Sequence, residues 1–220
     1  MEQVKPTSIM KKISFKDRYW LTSAVLEKRK TMMRRIERID FFPGSREEQI
    51  EKFCKHGADA KGRQVWLGFD NKGNWIAQFI SHYAIGEEIA VAQSYKSIVE
   101  QDPDNDYGNY YVKQFRYAPG WTNKMFVRAD LMPHRIRITD IRVERLQDIS
   151  DEDCMREGVY FYNCGIDTGF KVHGIRGTFY SAKRAFSSLI DKVNGEGTWE
   201  RNPWVPAYTF ELVRNKSFPI

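Results

Sequence analysis

The stretch RIRITDIRVER, Arg135–Arg145, is the clearest strand of the sequence. Ile136 and Ile138 alternate with arginines, which is typical of a strand with one buried face. Ile141 has the other parity, so we expect a β-bulge near Thr139–Asp140 to shift the phase. This segment predicts a β-rich fold around one long strand.

Capped helices follow that strand towards the C-terminus. Ser150 is an expected N-cap of a short helix that Gly158 closes. Ser181 is the expected N-cap of a longer amphipathic helix that ends at Gly195. Alternating apolar residues over Ala207–Val213 predict a final strand.

The N-terminal side predicts further strands around a helix. We expect a short strand at Ile13–Phe15, a helix over Arg18–Arg29, a strand at Thr31–Ile39 and another at Gly86–Tyr95. In the strand at Thr31–Ile39, Arg34 is expected to point away from the face that carries Arg35 and to lie at the surface.

Two regions are interpreted as insertions. Residues 41–62 are polar and turn-rich, with one or two helical turns around Glu47–Lys55, and a hairpin joins Val65–Phe69 to Trp75–Ile80. The acidic and aromatic residues 100–117 predict a surface loop. Strands with short helices between them indicate an α+β fold, with a closed or half-closed barrel.

Composition limits the class of protein. The chain has 220 residues, of which 41% are hydrophobic, so it can form one decorated domain or two small ones. It has no apolar run long enough for a transmembrane helix and no signal-peptide stretch. A cytoplasmic location is therefore expected.

Metal and disulfide chemistry are not indicated. The cysteines form no CxxC pair, and we expect reduced, buried thiols at Cys54, Cys154 and Cys164. The histidines lack metal-ligand spacing: His56, His82, His134 and His173. The expectation is a chain without metal or cofactor.

The positive charges are clustered. The net charge is +6, and residues 11–38 hold ten Lys or Arg against three acids. A second basic run is formed by Arg135, Arg137, Arg142 and Arg145. Such clusters fit either a polyanionic partner or a solvated basic face, and charge alone does not separate the two.

Residues Glu27–Arg35, EKRKTMMRR, resemble the ASCH-domain signature G-x-K-x-x-[T/E]-x-R, with Lys30 and Arg35 on its Lys and Arg. Three later segments also look like the larger ASCH-domain proteins of bacteria and their phages. They are GEEIAVAQSY from position 86, WTNKMFVRADLMPHRIRITDIRVERLQDISDEDCMREG from 121 and TWERNPWVPAYTFEL from 198.

The resemblance implies a single PUA-like domain over residues 1–220, with a pseudobarrel and insertions at about 41–82 and 99–119. It also implies an RNA or nucleotide ligand, bound in a basic cleft. In similar acetylcytidine amidohydrolases a Thr nucleophile is activated by the motif Lys and assisted by a Glu. The Lys corresponds to Lys30 and the Glu to Glu157.

Two motif positions differ from that pattern. Met33 stands at the Thr position, and a thioether has no proton to lose and cannot attack an acyl carbon. Thr31 lies two residues away, a displacement of roughly 6–7 Å along a strand. Lys28 stands at the motif Gly. Binding is therefore the first hypothesis, and a hydrolase of acylated nucleosides or a ribonuclease using Lys30 and Glu157 is the alternative.

The predicted ligand-binding residues follow from this hypothesis. Lys30 and Arg35 are expected to clamp a phosphate, and Glu157 to accept a hydrogen bond from a base or to act as a general base.

Three further residues are predicted to contact the base. Tyr95 is expected to stack on it, while Gln93 and Asn123 offer amides. A third hypothesis is an accessory module that binds a protein through the aromatic and acidic residues 106–117.

Overall fold

The computed structural model describes residues 10–101, 106–165 and 167–214, and within them the architecture is mixed α+β, with eleven strands and six α-helices. The chain divides into two compact units. The first unit contains the chain up to Phe15, Glu88–Ile136 and the chain from Leu212. The second contains Lys16–Glu87 and Arg137–Glu211. The single domain over residues 1–220 stays a prediction.

The strands in chain order are β1 (Lys12–Ile13), β2 (Met32–Arg34), β3 (Asp40–Phe41), β4 (Lys52–Ala58), β5 (Arg63–Phe69), β6 (Trp75–Ala84), β7 (Glu88–Val91), β8 (His134–Arg145), β9 (Tyr160–Cys164), β10 (Asp167–Lys171) and β11 (Trp204–Arg214). The α-helices are α1 (Leu21–Leu26), α2 (Tyr95–Gln101), α3 (Asp106–Phe115), α4 (Asp151–Arg156), α5 (Ala182–Asn194) and α6 (Thr198–Arg201). Short 3-10 helices include Asp17–Tyr19 and Glu47–Gln49.

The first unit is built on a parallel pair and two helices. Strand β1 pairs with β7, with Ile13 opposite Val91. Helices α2 and α3 bring Tyr95 and Tyr111 into a buried cluster with Met132. Burial of this apolar surface stabilises the unit by roughly 25 cal/mol per Å².

The second unit carries antiparallel pairs. Strand β2 pairs with β11, which places Met33 opposite Tyr208. Another sheet has the order β3-β6-β5-β4, and β9 and β10 form a two-stranded hairpin. Helix α5 begins at its cap Ser181, which accepts a hydrogen bond from the Arg184 N–H at 3.2 Å. The described strands belong to open sheets, and the barrel stays a prediction.

The long strand, the hairpin and the caps are confirmed. In β8, Ile136, Ile138 and Ile141 are all buried, so the burial phase does shift after Ile138 as expected. Strands β5 and β6 flank the predicted turn, and Ser150 caps α4.

Within the two predicted insertions, two local predictions are wrong. The described residues of 100–117 are largely helical, because α3 buries Tyr111 and is held by the first unit's core. In the range Glu47–Lys55, only Glu47–Gln49 is helical and β4 begins at Lys52, where pairing with β5 overrides local propensity.

Candidate functional site

The turn at the end of α1 directs Lys30 into the interior of the second unit. The Arg29 N–H donates to the Ala24 carbonyl at 2.8 Å and the Lys28 N–H to the Val25 carbonyl at 3.0 Å, as in a Schellman motif. Lys28 is the C′ residue of this motif and has φ 60. The chain thus reverses within three residues, and Lys30 is only 4% exposed.

Lys30 meets three acceptors in the interior. Its Nζ donates to the Met32 carbonyl at 2.7 Å, to the Glu157 carbonyl at 2.9 Å and to Glu157 Oε2 at 2.6 Å. These contacts tie β2 to the C-terminal end of α4. An ammonium has three protons to donate, so these bonds use the full capacity of the side chain.

Arg34 is the centre of the cluster. Its side chain is 0% exposed. Nη1 donates to Glu157 Oε1 at 3.2 Å, and Nη2 donates to Asp153 Oδ2 at 3.1 Å and to Glu144 Oε1 at 2.5 Å. The planar guanidinium fork can meet several carboxylates at once. The expectation that Arg34 lies at the surface is therefore wrong.

Asp153 links this centre to the protein surface. Its Oδ2 also accepts from Arg142 Nη2 at 2.7 Å, and Oδ1 lies 3.4 Å from Arg156 Nη1. Burial would raise the pKa of Asp153, but hydrogen bonds from Arg142 and Arg34 outweigh burial and hold that pKa below its usual range. We define Lys30, Arg34, Glu144, Asp153 and Glu157 as the buried charge cluster.

The buried charge cluster offers little to a substrate. Burial lowers the pKa of Lys30, although Glu157 opposes the shift, and the Lys30 protons already have acceptors. Met33 is buried. The nearby Cys154 thiol is buried too, and burial raises its pKa to about 12, so no thiolate forms at neutral pH.

The structure brings together Lys30 and Glu157, as the resemblance implies, and it does not add Arg35 to them. Arg35 follows the last residue of β2, and its side chain is 42% exposed and lies 3.9 Å from Glu37. Its Nη1 donates to the Tyr83 hydroxyl at 3.4 Å. Within the described residues Lys30 pairs with Glu157 and Arg35 with Glu37, so a phosphate at the surface would meet Arg35 rather than the buried Lys30.

The predicted base-contacting residues all lie in the first unit. Tyr95 is 2% exposed and stacks on Tyr111 and Phe115. The Gln93 amide donates to Gln101 Oε1 at 2.9 Å.

Asn123, the third of these residues, and Tyr111 of the predicted protein-binding stretch also make contacts within the protein. The Asn123 side chain caps a 3-10 turn by accepting from the Met125 N–H at 3.0 Å. Tyr111, within the stretch 106–117 that was predicted to bind a protein, is buried in the core.

The second basic run is neutralised by carboxylates. Arg135 lies 3.3 Å from Glu88 in the first unit. In the second unit the pairs are Arg137 with Glu211 at 2.8 Å, Arg142 with Asp153 at 2.7 Å and Arg145 with Glu47 at 3.5 Å. This run does not form a free basic face.

Sequence reasoning missed an aromatic stack in the second unit. The rings of Trp20 and His173 are stacked at 4.7 Å with an interplanar angle of 11°. Tyr160 stacks on the same imidazole at 4.6 Å and 27°. We call these three residues the aromatic stack. Partial burial and the charge of Arg29 lower the pKa of His173.

Several classes of site are not found in the part of the chain that the structure describes. It contains no group of three or more His, Cys, Asp or Glu that could hold a metal ion. None of its helices is long and apolar enough to cross a membrane. Cys54 and Cys164 are exposed, so burial of the thiols holds for Cys154 alone.

Comparisons with family models, with curated proteins and with solved structures found no match to this chain.

Proposed function

We propose that this chain is an ASCH-type protein of PUA-like fold whose second unit binds RNA or a nucleotide. The binding surface is formed by the cations on either side of α1: Lys16, Arg18, Lys28 and Arg29. We call these residues the α1 basic surface.

The observation that carries this proposal is the exposure of those four cations and how few ion pairs they form. Lys16, Arg18 and Lys28 are exposed, and within the described residues none of them forms an ion pair. Arg29 pairs only with Glu27, at 2.7 Å and in solvent, where such a pair contributes little. The other cations of this segment are mostly buried or paired, so the polyanion-binding potential of residues 11–38 concentrates here.

The buried charge cluster has a supporting role in this proposal. Lys30 and Glu157 lie together, as expected from the resemblance, but their bonds are internal. They fix the end of α1 through the turn at Lys28. The motif Lys thus positions the basic residues in front of it and does not itself hold the phosphate.

The test measures the binding affinity over a series of salt concentrations. Fluorescence anisotropy with a labelled single-stranded RNA should give affinities that fall steeply with salt, since each phosphate contact releases counterions. Arg18→Gln and Lys28→Gln should each weaken binding across all sequences and reduce the slope of log K against log salt by about 1.

The matched control is Arg137→Gln, which removes the same charge from a surface pair with Glu211 at 2.8 Å. It should bind like the wild type. Salt-independent binding, or an equal loss in all three variants, would contradict the proposal.

A second candidate function is hydrolysis of an acylated nucleoside or of RNA. It is favoured by one observation, the 2.6 Å contact of Lys30 Nζ with Glu157 Oε2. The test is incubation with acetylcytidine and with short RNA, for the wild type and for Met33→Thr, which restores the nucleophile of the resembled enzymes. No turnover by either protein would remove this candidate.

A further inference from the structure

Trp20 holds a backbone conformation that is unfavourable for its side chain. It has φ 54 and ψ 24, in the left-handed region, between the 3-10 helix Asp17–Tyr19 and α1. Bulky residues rarely occupy this region, because it strains their backbone. Such strain persists where the surroundings impose it, and it is common at binding sites.

The surroundings of Trp20 do impose this conformation. Its N–H donates to the Asp17 carbonyl at 2.9 Å, and its own carbonyl accepts from Ala24 at 2.9 Å. The indole in this conformation stacks on His173. The residue is 55% exposed. More than half of the side chain is therefore accessible to a ligand.

Two arginines of the α1 basic surface lie near the aromatic stack. Arg18 precedes Trp20 by two residues, and its carbonyl oxygen lies against the glycine that follows His173. Partial burial and Arg29 lower the pKa of His173, and Glu27 opposes that shift. An exposed ring beside positive charges matches the chemistry of a nucleotide, in which a flat base is joined to a phosphate.

We propose that the exposed indole of Trp20, at the end of the aromatic stack, is the stacking site for an unpaired nucleobase, so that the ligand is a single-stranded nucleic acid. This inference rests on the function proposed above. It adds a contact to the base, whereas the cations of the α1 basic surface bind the phosphates. A base in a duplex has its faces covered by its neighbours, and only an unpaired base can stack on a side chain. His173 and Tyr160 hold the indole in place and lie behind it.

The test uses Trp20→Gly, because glycine adopts a positive φ without strain. We expect this variant to stay as stable as the wild type in urea, since relief of strain offsets the lost stacking. Binding of a labelled single-stranded RNA of about ten nucleotides should weaken by about 5- to 150-fold, the range for loss of one stacked base. The salt slope should not change, because no charge is removed. Trp20→Phe should keep most of the affinity.

The matched control is Trp75→Ala, which removes another exposed tryptophan of the second unit and should bind normally. A wild type that binds duplex RNA as tightly as the single strand would overturn the inference. So would a Trp20→Gly variant of normal affinity; if Arg18→Gln were still weakened, the α1 basic surface would stand without the stacking site. Loss of the proposed function itself would show as wild-type protein that binds neither RNA at any salt.

Discussion

Lys30 Nζ and Glu157 Oε2 lie 2.6 Å apart, although 127 positions separate them in the sequence. Both side chains are almost fully buried. Glu157 Oε1 also accepts from Arg34 at 3.2 Å, so one carboxylate contacts two interior cations. This contact fixes β2 against the end of α4, and with it the turn that presents Lys28 to solvent.

Glu157→Gln should destabilise the protein strongly. The amide leaves the buried Lys30 without its carboxylate, whereas Arg34 keeps Glu144 and Asp153. A buried charge left without its partner costs about 3–5 kcal/mol. Urea denaturation followed by circular dichroism measures this loss. Glu152→Gln, on the exposed side of the same helix, removes the same charge and should stay within about 0.5 kcal/mol. Equal stability of the two variants would contradict the description of the cluster.

The sequence contained part of this arrangement. The resemblance placed Lys30 and Glu157 in one site, and local patterns gave the cap at Ser150 that positions Asp153. Strand parity also places Arg34 and Arg35 on opposite faces of the predicted strand Thr31–Ile39, but it does not tell which face is buried. The motif instead pairs Lys30 with Arg35. Which arginine is buried depends on carboxylates from β8 and α4, and no local pattern gives their positions.

We expect the stability that Asp153 contributes to be lost in acid. Its pKa in the folded protein is lower than the value near 3.9 of an unfolded chain. A depressed carboxyl pKa contributes stability that is present above the unfolded value and is lost as the pH falls through the folded value. Asp153→Asn should therefore cost about 1.5–3 kcal/mol at neutral pH, and this difference should shrink towards zero in acid. Urea titrations from pH 7 down to about pH 3 measure it, and a difference that does not change with pH would refute the assignment.

Gly174→Ala should damage the aromatic stack. Gly174 has φ +74, and a Cβ there would overlap the Arg18 carbonyl oxygen. The control is Gly73→Ala, with φ +81 and no atom within 4 Å of the added Cβ. Both variants carry the left-handed strain of about 1–2 kcal/mol, and Gly174→Ala should cost a further 1–3 kcal/mol from the overlap. Urea denaturation compares them, and equal costs would show that the loop shifts freely.

The aromatic stack could not be read from the sequence. Trp20, Tyr160 and His173 lie on three separate segments, and the sequence around His173 indicates only that metal-ligand spacing is lacking. The sequence predicts one helix over Arg18–Arg29, which would include Trp20. The left-handed backbone at Trp20 breaks that helix, because the chain must turn between a 3-10 helix and α1. A single residue between two short helices carries no periodic signal.

Substitutions at Lys28 can distinguish the effect of its backbone conformation from the effect of its charge. The resembled motif has Gly where this chain has Lys28, and the structure supplies the reason, since the C′ residue of the Schellman motif has φ 60. Lys28→Gly should raise the free energy of unfolding by about 0.5–1 kcal/mol, because glycine removes the left-handed strain. Lys28→Ala keeps that strain and should stay within about 0.5 kcal/mol of the wild type. Both variants lose the same charge, so both should bind RNA more weakly, with the salt slope reduced by about 1. If affinity instead followed stability, with Lys28→Gly binding more tightly than the wild type, Lys28 would be a turn residue alone and the α1 basic surface would lose one of its phosphate contacts.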